Sequence, residues 1–186
     1  WLMGEGILIG DMSIANTTVK PGYPVGPGDS MAMTSFQGGI LNFENTITLA
    51  PDTTLELGIY GPGTGYHDQI LIGGLFDINQ AILKIKGPSD IADYITSSDY
   101  FPILDTYGSG EIIGLFAGAG NGDIIGIYDF DNIFLGHFNL FYRDFQVSLS
   151  NFEAVPEPST WLLMVLGGII LACYLRRQIR SKATSV

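Results

Sequence analysis

Short runs that alternate apolar and polar residues, each stopped by glycine or proline, leave a β-rich fold as the main option for residues 1–153. The clearest is Thr53-Thr54-Leu55-Glu56-Leu57-Gly58-Ile59. In a strand this places Leu55, Leu57 and Ile59 on one face and Thr54, Glu56 and Gly58 on the other. Thr46-Ile47-Thr48-Leu49, Gln69-Ile70-Leu71-Ile72 and Ala81-Ile82-Leu83-Lys84-Ile85-Lys86 read the same way, as does the opening Gly6-Ile7-Leu8-Ile9-Gly10. Their Thr and Ile content favours strand over helix. With 25 glycines and only 15% charged residues, the chain is a poor candidate for a helical bundle.

Turn formers punctuate the runs: Lys20-Pro21-Gly22, Pro24 with Pro27-Gly28, Ala50-Pro51-Asp52, Gly61-Pro62-Gly63-Thr64-Gly65 and Gly87-Pro88-Ser89-Asp90. Val19-Lys20-Pro21-Gly22 and Leu49-Ala50-Pro51-Asp52 recur 30 residues apart, each after a Thr-rich strand. That reads as an imperfect repeat of one solenoid coil or one hairpin pair. A parallel β-helix or β-roll and a β-sandwich both fit, and the strand–Gly–strand pattern favours the first. Residues 89–95 fit either a short helix capped by Ser89 or a loop with two apolar anchors. Phe101-Pro102-Ile103-Leu104, Ile112-Ile113-Gly114-Leu115-Phe116, Ile124-Ile125-Gly126-Ile127-Tyr128 and Phe145-Gln146-Val147-Ser148-Leu149 read as closing strands. The aromatic-rich stretch 135–142 is expected to cover an open end of the core, since the last coil of a solenoid needs a cap.

The formal net charge of −11 speaks against a nucleic-acid partner, because phosphate neutralisation needs lysine and arginine. Of the 19 acidic residues only Glu157 lies beyond residue 154, whereas half of the eight basic residues do. The chain therefore has two physical parts. The single cysteine, Cys173, allows no intramolecular disulfide and no CxxC metal site. The first residue is Trp1 with no basic n-region behind it, so the chain reads as a fragment or a processed product. A missing signal peptide then says nothing about where the full protein goes.

After a linker at 154–160, residues 161–175 form an uncharged apolar run. As a helix this run spans about 22 Å, short of a hydrocarbon core of about 30 Å. Ser159 and Thr160 as caps, Trp161 at the interface and snorkelling Arg176 and Arg177 extend it to a single transmembrane helix. The basic tail 176–186, with Arg176, Arg177, Arg180 and Lys182, is expected to stay cytoplasmic, leaving the acidic body outside. The other reading, a buried core helix, sits poorly behind a proline spacer and against a four-charge block.

Val155-Pro156-Glu157-Pro158-Ser159-Thr160-Trp161, the apolar run and the terminal arginine cluster together resemble the PEP-CTERM protein-sorting signal of Gram-negative bacteria. The tripartite order and the literal Pro156-Glu157-Pro158 both agree, over roughly residues 155–180; residues 181–186 run past the usual end. The resemblance implies an inner-membrane partner, a processing enzyme of the exosortase type, and cleavage near Pro156-Glu157-Pro158. It also implies an association with exopolysaccharide, biofilm and extracellular matrix. The body would then wait in the periplasm before reaching the cell surface or the medium. Within the body, Pro21-Gly22 and Pro27-Gly28, Gly39-Ile40-Leu41, Leu49 through Leu57 and Gly63-Thr64-Gly65-Tyr66-His67-Asp68-Gln69-Ile70 resemble an autotransporter-like passenger β-helix, without the outer-membrane barrel of that family.

Candidate chemistry is sparse. His67-Asp68 sits just before a strand, and His137, the only other histidine, shares no motif with it. A turn role and a general base or metal ligand are the alternatives there. Gly118-Ala119-Gly120-Asn121-Gly122-Asp123, with Asp129 and Asp131 nearby, resembles a calcium turn only in part, because Asp123 directly follows Gly122 and the unit does not repeat. It is neither a dinucleotide fingerprint nor a phosphate loop. The pairs Asp90/Asp93 and Asp129/Asp131 fit a solvated acidic surface, and no Gly-x-Ser-x-Gly elbow is present. The expectation is an exported, non-enzymatic surface or matrix protein with no cofactor, no metal and no catalytic residue. A carbohydrate-binding module and a polysaccharide-active enzyme are the alternatives, with extracellular polysaccharide as a further partner.

Overall fold

The computed structural model describes residues 2–22, 38–63, 65–155, 164–166 and 168–170. The chain divides into two compact units, Trp1–Ala154 and Val155–Val186.

The first unit is predominantly β. Its strands come in triplets: β1 (Leu2–Gly4), β2 (Gly6–Leu8) and β3 (Met12–Ile14); β4 (Thr18–Pro21), β5 (Ile40–Phe43) and β6 (Ile47–Leu49); β7 (Thr54–Gly58), β8 (Gln69–Ile72) and β9 (Leu75–Asp77); β10 (Ile82–Lys86), β11 (Tyr100–Thr106) and β12 (Glu111–Ile113). Each strand pairs in parallel with its counterpart one triplet on, so the chain winds as stacked coils with three faces. β13 (Ile124–Tyr128) adds in parallel to β10. β14 (Phe134–Arg143) and β15 (Gln146–Ala154) then run antiparallel to β13, to each other and to β11. They join the β1-β4-β7-β10-β13 face to the β2-β5-β8-β11 face as one 11-stranded sheet, and β3, β6, β9 and β12 form a separate four-stranded face. Parallel pairing between strands three apart describes a coil, not an antiparallel sandwich.

Inward positions form the core. Leu55, Leu57, Ile59, Ile70, Ile72, Ile85, Phe101 and Leu104 are fully buried, as the alternation predicts. The aromatic-rich stretch closes the last coil: Phe138 and Leu140 of β14 and Val147 and Leu149 of β15 are buried. Phe138 packs on Phe101 at 5.7 Å and on Phe152 at 5.1 Å. The Tyr142 hydroxyl completes the cap beside β12, accepting from the Phe116 N–H at 2.9 Å and donating to the Ala119 carbonyl at 3.0 Å.

One expectation, the repeat, needs correction. Val19-Lys20-Pro21-Gly22 and Leu49-Ala50-Pro51-Asp52 are not equivalent, because Val19 lies in β4 and Leu49 in β6, on different faces. Val19 stacks on Leu55, and Leu55 on Leu83. Connections of unequal length separate these residues, so matching turns do not mark the repeat. Of the two readings of residues 89–95, the loop with two apolar anchors holds: residues 91–93 form a single 3-10 turn without a side-chain cap, Ser89 does not start a helix, and buried Ile91 and Ile95 anchor the segment. The opening run forms β2 over Gly6–Leu8, with Leu8 half-buried and Ile7 exposed; Ile9 lies beyond the strand and is 80% exposed.

In the second unit, residues 164–166 and 168–170 are helical and exposed. Among the described residues no helix is long and apolar enough to cross a membrane. The rest of the expected span over 161–175 lies outside the described residues.

Leu57→Ala, which empties a fully buried inward position, is expected to cost about 2–5 kcal/mol. Ile82→Ala, on the outward side of β10, is expected to cost well under half as much. Chemical denaturation of the two variants checks this, and equal losses would contradict the inward and outward assignment.

Candidate functional site

The connections between strands are unequal around the coil. From the β4 face to the β5 face the chain takes residues 22–39, 59–68 and 87–99 in successive coils, whereas β1 passes to β2 through Glu5 alone. The opposite turns, such as 44–46 and 73–74, are tight. In a solenoid, insertions gathered at one corner mark the side on which function is built.

Asp68 holds this corner together. It ends the 59–68 connection, is fully buried, and uses both carboxylate oxygens: Oδ1 accepts from the Gly39 N–H and Oδ2 from the Gly58 N–H, each at 2.8 Å. The Asp68 N–H in turn donates to the Gly58 carbonyl at 2.8 Å. One side chain thus ties the second coil to the third. The approach is close enough that a Cβ on Gly39 would collide with the backbone of Gly22, so glycine is required there. Burial pushes the Asp68 carboxyl up to about 7, against the two N–H donors and the nearby Lys20. The Tyr60 hydroxyl lies over Gly58, where a Cβ would strike it, and burial together with Asp68 pushes its pKa upward.

His67 is buried beside Asp68 but turned elsewhere. Its Nε2–H donates to the Pro102 carbonyl at 3.1 Å, at the bulge of β11 against β15, and its ring meets Phe101 edge-on at 5.6 Å. Burial lowers the imidazole pKa, against the hydrogen bond to the Pro102 carbonyl. His137 lies on β14, 3.4 Å from Glu153. The two histidines serve different contacts and share no site.

The glycine-rich turn folds on its own groups. Asp123 Oδ2 accepts from the Gly120 N–H at 2.6 Å, and Asp129 Oδ1 accepts from the N–H groups of Asp131 and Ile133 at 2.9 and 2.7 Å. These are turn-stabilising contacts. Among the described residues, no three His, Cys, Asp or Glu side chains converge.

Sequence reading missed a charge ladder on the outer side of the β4-β7-β10 face. Lys20 pairs with Glu56 at 2.8 Å, and Glu56 stands opposite Lys84 in the register of β7 and β10. Beyond them, Lys86 Nζ donates to the Asp129 carbonyl and to Asn132 Oδ1, both at 2.7 Å. The available signal was the alternation of charge at one offset in successive coils: Thr18-Val19-Lys20, Thr54-Leu55-Glu56, Ile82-Leu83-Lys84.

Of the residues expected to sort the protein, Val155 is described and exposed. Pro156, Glu157, Pro158, Ser159, Thr160, Trp161, Arg176, Arg177, Arg180 and Lys182 lie outside the described residues. The PEP-CTERM protein-sorting motif matches residues 154–180. The C-terminal segment is therefore a sorting signal of the kind targeted by an exosortase-type enzyme. No curated protein and no solved structure matches the chain.

Because folded Asp68 holds a proton up to about pH 7 while an unfolded aspartate releases it near 3.8, its contribution to stability falls as pH rises from about 4 to 7 and is level above that. The slope from one proton is at most about 1.4 kcal/mol per pH unit. Asp68→Asn is expected to flatten that part of the profile and lower stability at pH 5, since one carboxyl oxygen that accepts a backbone N–H becomes an NH2 donor facing it. Melting temperatures of both proteins between pH 4 and 8 check it; parallel profiles would contradict this role for Asp68.

Proposed function

We propose that the chain is an exported, non-enzymatic protein of a Gram-negative bacterium, sorted through its C-terminal segment to the cell surface or extracellular matrix. The match of residues 154–180 to the sorting motif carries this reading. Its position supports it too: β15 ends at Ala154, so the signal begins where the β body stops. Residues 161–175 would cross the inner membrane once, with Arg176, Arg177, Arg180 and Lys182 on the cytoplasmic side and the body in the periplasm. Pro156-Glu157-Pro158 would be the segment that the processing enzyme reads. Cleavage near it delivers the β body.

The body is proposed as a binding or structural module. Support comes from the commitment of His67, Asp68, Asp123 and Asp129 to backbone contacts that build the fold. A second reading, a module that binds extracellular polysaccharide, is favoured by the gathering of the long connections at one corner.

Replacing Pro156, Glu157 and Pro158 together with alanine is expected to leave the protein at precursor size in cells that contain the processing enzyme, as read by immunoblot. A product of normal mature size would refute the role of this segment. Deleting Arg176, Arg177 and Arg180 is expected to weaken the inside–outside orientation of a C-terminal topology reporter. Unchanged topology would overturn the orientation argument.

A further inference from the structure

β10 and β13 stay paired at Ile85–Ile127 and Lys86–Tyr128, then part toward their N-terminal ends. The parting opens a groove of about 430 Å³ on the outer side of this face, within the size range of small-ligand sites. Its floor is apolar: Leu83 and Ile125 point inward but stay only half-buried, because no paired strand closes over them. Its rim carries Lys84, Lys86, Tyr128 and Asn132.

Two features give the groove a chemistry. The first is charge. The body has only four basic residues, Lys20, Lys84, Lys86 and Arg143, in a chain of net charge −11. Three of them stand on this one outer face. Lys20 is paired with Glu56, and Lys86 is held by Asp129 and Asn132, which leaves one of its three donor directions. Lys84 is exposed on the rim. Burial lowers the Lys86 pKa, and the Lys84 and Lys20 ammonium groups push the same way against Glu56 and Asp129. Lys84 and Lys86 both line the groove, while Glu56, opposite Lys84 in the register, is itself paired with Lys20, so an anion in the groove meets cations at its rim. The second feature is an exposed aromatic pair, Tyr128 and Phe134, whose rings are tilted 52° to each other. A Cβ on Gly126 would lie 3.0 Å from the Tyr128 ring and 3.2 Å from that of Phe134, so glycine lets both rings settle over the strand. The rings sit 5.4 Å apart and are 40% and 45% exposed.

We infer that this groove binds a ring carboxylate, with the anionic group at Lys84 and the apolar face of the ring against Tyr128. A uronic acid residue of an acidic saccharide and an aryl carboxylic acid share that chemistry. This site lies in the β body and does not depend on the sorting signal. Its test reads binding rather than processing, so the two readings fail separately.

The experiment is calorimetric titration of the full chain in detergent micelles at low ionic strength, where exposed charges are least screened. The probes are trigalacturonate, neutral galactotriose and benzoate. Binding of trigalacturonate, weakened about tenfold or more by Lys84→Glu and changed less than about threefold by Lys84→Arg, assigns the site to acidic saccharide. The same dependence for benzoate, with trigalacturonate inert, assigns it to an aryl acid. Tyr128→Ala is expected to weaken either ligand about fivefold. Arg143→Glu, an equal change of net charge on the capping hairpin, is expected to leave affinity unchanged. The inference is overturned if neither acid binds, if galactotriose binds as well as trigalacturonate, or if Arg143→Glu weakens binding as much as Lys84→Glu. Circular dichroism of each variant confirms an intact β body before titration.

Discussion

Rows of inward side chains, stacked at the spacing of paired strands of about 4.8 Å, hold the body together. Val19, Leu55 and Leu83 form one row, Leu41, Ile70 and Leu104 another, and Ile47, Phe76 and Ile112 a third. No single coil can bury its own apolar face, so each depends on its neighbours for a core. Outward positions and corners are then free to vary. That freedom places the charge ladder, the long connections and the groove on surfaces the core does not constrain. The same dependence makes the last coil vulnerable, and the β14–β15 hairpin answers it by pairing with β13 and β11 at once.

Much of this was legible in the sequence because strand alternation is a local signal. Leu55, Leu57 and Ile59 could be assigned to the core from their spacing, and the aromatic stretch that includes Phe138 and Leu140 could be recognised as a cap. Register was not legible. It depends on how much chain lies between equivalent residues, and the connections at 22–39, 59–68 and 87–99 make that distance irregular. The matching proline turns after Val19 and Leu49 therefore misled. Asp68 illustrates the same limit. Its position before a strand suggests a turn, yet its energetic role lies in two N–H groups, one of them on Gly39 in the preceding coil. The groove was invisible too, since it arises where two strands, β10 and β13, stop pairing.

The C-terminal signal was legible for the opposite reason. Its recognition rests on a literal motif and a fixed order of proline, apolar and basic segments, which need no tertiary structure to be read. The two units thus carry different kinds of information. The tail carries a sorting motif, and the body is the folded unit that precedes it.

The most direct test of that division is the intact mass of the native protein, with membrane fractionation, in cells with and without the exosortase-type enzyme. The account predicts a species ending near residues 155–160, found outside the inner membrane only when the enzyme is present. A full-length species retained in the membrane fraction in both cells would contradict it, and would make the C-terminal segment a permanent anchor.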